Sequence, residues 1–462
     1  MMKVEFVSRQ IIKPSSPTPQ SHATFKLYYK DQMNIDGMYT TILLFYPNID
    51  QCEANKVSHH HKIAEEWCER LKTSLSETLT YFYPLAGRIK DNAIIECKDQ
   101  GVEFCKARVH GFLEDILKQP NNESMKQFMP GDDAGLGSGF LLKVQVNLFD
   151  CGGMVIGVSV SHKIADASTI VSFIKAWSCT AFGCMTAAML PKYNIFRSFY
   201  ASMDSPIAAS PITLGDFINL CITRRFVFDS SKITKLKAKA ANNIVEQPSR
   251  VEAVLALIWK CAIIASRTSQ GITKRPSMVS QAVNLRKRTR PPLPETSVGN
   301  FISHVVVKLE ETNESTDIDL KWLVLQQRNA LEQFSKKCLM KLQDRDAFSL
   351  MSEAVKEIEL EKEGRDFYMC SSWCNFAFYE VDFGWGKPKW VSLPPLEMNN
   401  LIILMDTSDG KGVEAWTCSL GANLPPLPLP GILALDAVGA DSALDFRFHC
   451  RNTTVIGLWF LE

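Results

Sequence analysis

Residues 151–178, CGGMVIGVSVSHKIADASTIVSFIKAWS, pass from one structural period to another within six positions. Met154–Val160 is rich in β-branched residues and fits a strand. Ile170, Phe173, Ile174 and Trp177 then fall at i, i+3, i+4 and i+7, which is one face of a helix. The connecting SHKIAD is thus a strand-to-helix junction. Similar strand runs occur at 40–47, 140–149, 277–286, 303–309 and 399–406. Helical patterns lie between them. Residues 67–82 put Leu71, Leu75, Leu79 and Phe82 on one face, and 250–266 and 320–334 repeat that spacing. The mixture predicts an α/β or α+β protein with at least one sizeable sheet.

A length of 462 residues exceeds what one simple core organises, so two domains are expected. Residues 185–215 show no sustained period and read as a long connection between two halves. Lys plus Arg number 51 and Asp plus Glu 50, a net charge of +1. That balance offers no basic excess for a nucleic-acid backbone. The first 20 residues have charges and prolines where a signal peptide needs an apolar core. No stretch reaches the roughly 18 apolar residues of a membrane span. These features predict a cytoplasmic protein that contacts neither nucleic acid nor membrane. The 14 cysteines are scattered and read as small buried hydrophobes with free thiols. The triple histidine at 59–61 precedes an amphipathic pattern and reads as a solvated helix entry, so no metal is expected.

His162 ends the strand and Asp166 opens the helix. Asp166 suits an N-cap, and His162 could be an ordinary hydrogen-bonded strand-end residue. A catalytic base followed by a supporting carboxylate has the same spacing, and spacing alone does not choose between the two.

The rest of the chain widens the comparison. YEVDFGWGKP at 379–388 holds DFGWG, Asp382 to Gly386. SHKIAD and DFGWG, in this order, resemble the two signature motifs of the plant BAHD acyl-CoA-dependent acyltransferases. IIKPSSPTPQ (11–20), YFYPLAGRI (81–89), QAVNLRKRTRPPLPETSVGN (281–300) and CSSW (370–373) resemble further segments of that family. The wording is closest to the vinorine synthase-like branch of alkaloid acetyltransferases, which also includes enzymes acting on terpenoid alcohols and sugar esters.

The resemblance implies two similar domains, chloramphenicol acetyltransferase-like, each a mixed sheet with flanking helices, and a channel between them. Residues 1–184 would carry SHKIAD and 216–416 DFGWG, joined by 185–215. It implies a monomer that takes acyl-CoA, acetyl-CoA by default, as co-substrate, with no permanently bound cofactor. The partner substrate is a small-molecule alcohol. His162 would be the general base, since imidazole can accept the alcohol's proton near neutral pH. Proximity in the channel would replace an acyl-enzyme. Ser371 and the indole N–H of Trp373 are candidates for the oxyanion donor. Asp166 would brace the site through Arg286 rather than orient the imidazole. Asp382 is a candidate acid/base group, although the glycines and aromatics of DFGWG, Gly384 among them, suit a tight structural turn. Ser249 and Arg250, at a helix start, could meet the coenzyme's phosphates, or Ser249 could simply cap the helix. A non-catalytic binding protein and a thioester hydrolase are the competing functions. No G-x-S-x-G elbow is present for a serine hydrolase.

From Thr417 onward the chain departs from the family pattern. Pro425, Pro426, Pro428 and Pro430 forbid a helix there, and no Lys or Arg occurs from Thr417 to Phe446. Residues 417–462 are therefore expected to form an atypical, poorly packed tail.

Overall fold

The apolar runs build two six-stranded sheets. The structure is a computed structural model and describes residues 2–47, 57–131, 139–193, 195, 221–270, 275–310, 318–343 and 346–420. The first half contains β1 (Lys3–Ile12), β2 (Thr24–Lys26), α1 (Tyr29–Met33), β3 (Tyr39–Tyr46), α2 (Val57–Tyr81), β4 (Arg88–Lys90), β5 (Ile94–Glu96), β6 (Val102–His110), α3 (Leu113–Lys118), α4 (Asn122–Gln127), β7 (Leu142–Phe149), β8 (Met154–Ser161) and α5 (Ala167–Phe182). The second contains β9 (Cys221–Phe228), α6 (Ser230–Ala240), α7 (Arg250–Gln270), β10 (Ser277–Asn284), β11 (Ile302–Leu309), α8 (Leu320–Gln343), α9 (Ala347–Glu361), β12 (Asp366–Ser372), β13 (Trp390–Ser392), β14 (Leu401–Asp406) and β15 (Val413–Leu420).

The first sheet runs β1-β6-β7-β8-β3-β13 and the second β11-β10-β12-β14-β15-β9; β2, β5 and β4 form a small third sheet. Both large sheets are mixed. β6 and β7 are parallel in one, and β10, β12 and β14 are parallel in the other. One strand crosses between the halves. β13 belongs to the second half by sequence but pairs antiparallel with β3, Trp390 opposite Phe45. The chain after α5 also reaches forward, since Lys192 N donates to Thr296 O (2.9 Å) and Val298 N to Lys192 O (3.0 Å). Of the connection 185–215, position 194 and everything from 196 lies outside the described residues.

The helices bury the faces their spacing marks. Leu71, Leu75 and Leu79 of α2 are fully buried and pack with Phe173, Ile174 and Trp177 of α5 in the first core. The Trp177 indole N–H is shared between Leu71 O (3.2 Å) and Ser74 Oγ (3.1 Å), so the ring is buried without an orphaned donor. Val254, Leu255, Ile258 and Trp259 of α7 fill the second core. Burying a side chain of this size contributes about 1.5–3 kcal/mol. His59 to His61 fall at the start of α2.

Two expectations are corrected. The tail was expected to begin at Thr417, but β15 continues to Leu420 and pairs through Thr417, Cys418, Ser419 and Leu420 with β9. Strand pairing carries on past Trp416 because β9 offers a complementary edge; residues 421–462 lie outside the described residues. Among the described residues ten cysteines are free thiols, most of them buried or half-buried, whereas Cys418 is disulfide-bonded. Among the described residues no helix is long and apolar enough to cross a membrane.

Candidate active site

β8 is buried along its whole length and ends at Ser161. The next residue, His162, turns out of the sheet. Its N–H donates to Met38 O at 2.8 Å, which anchors the turn to the loop before β3. α5 begins at Ala167, with Asp166 as its N-cap accepting from Thr169 N at 2.9 Å. The capping reading of Asp166 therefore holds.

The cap is also one end of a buried ion pair. Arg286 donates from Nη1 to Asp166 Oδ2 (2.6 Å) and from Nη2 to Asp166 Oδ1 (3.1 Å), the pairing the resemblance implies. Arg286 is wholly buried, and it also donates to Ser297 O, Gly299 O, Asn284 Oδ1 and Thr169 Oγ1. Phe301 N donates to the same carboxylate. A buried pair is tolerable only when the remaining donors and acceptors are used in this way.

Around His162 the polar contacts continue. Asn300 Nδ2 donates to His162 O (2.7 Å) and to Asp31 Oδ1 (2.9 Å). Asn34 Nδ2 donates to His162 O (2.5 Å) and lies 3.2 Å from His162 Nδ1. Burial lowers the His162 pKa from its ordinary value, assisted by the Lys30 charge and opposed by the hydrogen bonds and Asp166. The half-buried imidazole is thus biased to the neutral form. Burial raises Asp31 to about 6 even though three N–H groups donate to it. His304 on β11 lies 3.1 Å from Ser280 Oγ through Nδ1, and burial pushes its pKa down to about 3.

His162 opens into a cavity of about 420 Å³ lined by both halves of the chain. Asp166, Ser371 and Trp373 also reach this cavity. Ser371 sits on β12 between Ala282 and Ile403. Trp373 Nε1 donates to Ser371 Oγ at 3.0 Å. The indole hydrogen is therefore spent, which corrects Trp373 as a direct oxyanion donor. With Oγ already accepting, the Ser371 hydroxyl hydrogen is left to point elsewhere.

Asp382 and Gly384 do not line the cavity. Asp382 Oδ1 accepts from Gly384 N (2.7 Å) and Gly386 N (2.9 Å), closing a tight turn. Gly384 has φ +104°, and a Cβ there would sit 2.9 Å from the Arg70 guanidinium of α2. Phe383 meets Trp177 edge-on at 4.9 Å, and Trp385 stacks on Trp67 at 5.1 Å. Tyr46 Oη donates to Val381 O. The expectation of an acid/base Asp382 gains no support: its Oδ1 is engaged by two backbone amides, and the residue does not line the cavity His162 opens into.

Ser249 and Arg250 are likewise outside the cavity. Ser249 Oγ accepts from Glu252 N (3.1 Å) and Glu252 Oε2 accepts from Ser249 N (2.7 Å), a reciprocal capping box. Arg250 bonds Gly410 O, Gly412 O and Asp406 Oδ1, bracing the β14–β15 turn. The coenzyme-phosphate expectation for these two gains no support, because their polar atoms are already used. Among the described residues no cluster of three or more His, Cys, Asp or Glu is placed to hold a metal.

Asn34, Asn300, His304 and Lys30 were not singled out by sequence reasoning. Asn300 closes the 281–300 stretch, which was its only signal. The others come from distant elements and carry no local pattern.

Comparison with known proteins agrees with this arrangement. The Transferase family model matches residues 2–424. Akuammiline synthase 1 from Alstonia scholaris is 38% identical, over 89% of this chain and 92% of its own. Stemmadenine O-acetyltransferase from Catharanthus roseus is 36% identical, over 90% of this chain and 93% of its own. The crystal structure of vinorine synthase matches with a TM-score of 0.78 and 34% identity, covering 94% of this chain and 98% of that one.

Proposed function

Since the chain belongs to the Transferase (BAHD) family and is an acyl-CoA-dependent O-acyltransferase, we propose that His162 is the base that drives acyl transfer to a small-molecule alcohol. The observation that carries this reading is a neutral-biased imidazole opening into a cavity that both halves of the chain line. With the proton on Nδ1, the Nε2 lone pair is left for the acceptor hydroxyl. As the alcohol oxygen bonds to the thioester carbon, Nε2 takes its proton. The carbonyl oxygen gains charge, and the Ser371 hydroxyl donates to it. The tetrahedral intermediate then expels the coenzyme thiolate, which receives the proton from the imidazolium. No covalent acyl-enzyme forms.

Asp166 and Arg286 act as positioning residues. Asp382, Gly384 and Trp385 shape the fold around α2 and α5, and Trp373 orients Ser371. The acyl group is acetyl, in keeping with the relative named an O-acetyltransferase. The acceptor is a hydroxylated plant specialised metabolite, with alkaloid, terpenoid and sugar-ester skeletons the classes to screen. The protein works as a monomer in the cytosol: both large sheets and the cavity come from one chain, and its free cysteines, Cys418 apart, suit a reducing compartment.

His162→Ala tests the assignment. Acetyl transfer to an accepted alcohol should fall about 10²–10⁴-fold with the fold unchanged by circular dichroism. Wild-type turnover in the folded variant would refute it. Coenzyme release from acetyl-CoA without an acceptor should stay slow; fast release would mark a hydrolase.

A further inference from the structure

The cavity carries a charge pattern that the reaction does not use. Lys30 on α1, Lys126 on α4 and Lys143 on β7 all line it. The carboxylates lining it are Asp166, already paired with Arg286, and the exposed Glu397. Among the described residues Lys30 and Lys126 have no hydrogen-bond or ion-pair partner, and Lys143 lies over the Tyr39 ring at 4.6 Å. Asp31 is adjacent to Lys30 in sequence, but its oxygens are taken by Tyr28 N, Asn300 N and Asn300 Nδ2. Between the lysines the walls are apolar, with Met129, Phe376, Leu396 and Ile403.

We propose that this cavity selects an acceptor alcohol that also bears an anionic group, a carboxylate in the simplest case, received by Lys30 close to the reacting hydroxyl. The inference rests on the acyltransferase reading and narrows the acceptor within it. An unpaired ammonium in a half-buried site is unfavourable until a counter-charge arrives. Burial lowers the Lys30 pKa, opposed by the adjacent Asp31 charge, and Lys30 lines the same cavity as His162 and His304. A coenzyme phosphate does not reach there, because the pantetheine arm separates the phosphates from the thioester that His162 serves. A protonated amine in the same place would meet like charge. The apolar walls take the hydrocarbon body. The acceptor class is therefore a hydroxy acid with an apolar skeleton.

The test uses the full-length protein with coenzyme A present and a panel of polycyclic hydroxy acids, each paired with its methyl ester and with an amine of the same skeleton. Binding is measured by calorimetry. Acids should bind about tenfold or more tightly than their esters, the ordinary worth of a charge-assisted hydrogen bond. Lys30→Met should abolish that difference, and Lys30→Arg should retain it. If Lys30→Met fails to fold, Lys30→Gln and the Arg variant decide. A panel in which no acid outbinds its ester, or in which the preference survives loss of the charge, overturns the proposal. Two further arms locate the anion. A KM for acetyl-CoA that rises in Lys30→Met, but not for 3′-dephospho-acetyl-CoA, would assign the lysine to the coenzyme and overturn it. A selective loss of malonyl-CoA use without any acid preference would assign it to the acyl group and overturn it equally. Failure of the general-base reading shows separately, in acetyl transfer by His162→Ala, and leaves these binding ratios unaffected.

Discussion

At SHKIAD the two halves of the molecule meet through buried charge; at DFGWG they meet through aromatic rings. Asp166 caps α5 in the first half while Arg286 reaches it from the second, and Asn300 and Asp31 extend the same hydrogen-bonded cluster to the His162 backbone. The DFGWG turn instead wedges Phe383 and Trp385 against Trp177, Trp67 and Tyr46. Both motifs present an aspartate, and in both it accepts from backbone N–H groups. The first aspartate is buried beside the cavity, and the second closes a turn remote from it. An acidic residue in a signature motif is thus no guide to chemistry until its lone pairs have been counted.

The sharpest way to break this comparison is Asp166→Asn. It strands the Arg286 cation in a dry site and should cost about 3–5 kcal/mol. Chemical denaturation would show the midpoint shift, and a loss under 1 kcal/mol would mean water reaches the pair. Next comes Ser371→Ala. If the hydroxyl serves the oxyanion, kcat should fall about 10²–10³-fold, with about 1–3 kcal/mol of stability lost because the Trp373 N–H loses its acceptor. Unchanged kcat would return that role to Trp373 or to the backbone.

Asp382→Ala should act on stability rather than on turnover. It removes two acceptors from amides in a partly exposed turn, costing about 1–3 kcal/mol. Turnover per folded molecule should stay within a few-fold of wild type, and a loss as large as that of His162→Ala would restore the acid/base role. The smallest effect is in the pH profile. Protonated His162 cannot accept the alcohol's proton, so kcat/KM must fall as pH drops through its pKa. Burial places that pKa below the ordinary 6.5, so the acid limb should lie below pH 6.5. An acid limb above that value would contradict the neutral bias described here.

Much of the fold could be read from local pattern. The strand at 154–160 and the helix face Ile170, Phe173, Ile174 and Trp177 are in place because one run is fully buried and the other presents a single buried face. Asp166 as a cap was also readable, since a cap is a local event. What failed to show was nonlocal. Asn34 reaches His162 from more than a hundred residues away, and no period announces it or the cavity-lining Lys30. The spent indole of Trp373 depends on a rotamer, and the engaged Arg250 on a turn formed 160 residues later. Residues 417–420 were misjudged because the prolines from Pro425 drew the boundary too early, whereas the family match runs to residue 424 and the pairing with β9 to Leu420.

The crossing strand β13 has a consequence for how the protein is made. During synthesis β3 emerges early, yet the neighbour that covers its outer edge, Trp390–Ser392, leaves the ribosome roughly 20–70 s later at about 5–20 residues per second. For all that time the nascent first sheet exposes the unpaired N–H and C=O groups of an apolar strand, a template for joining another chain. Severing the chain between its halves would make that interval permanent, so a first half expressed alone should collect in inclusion bodies unless the second is supplied in the same cell.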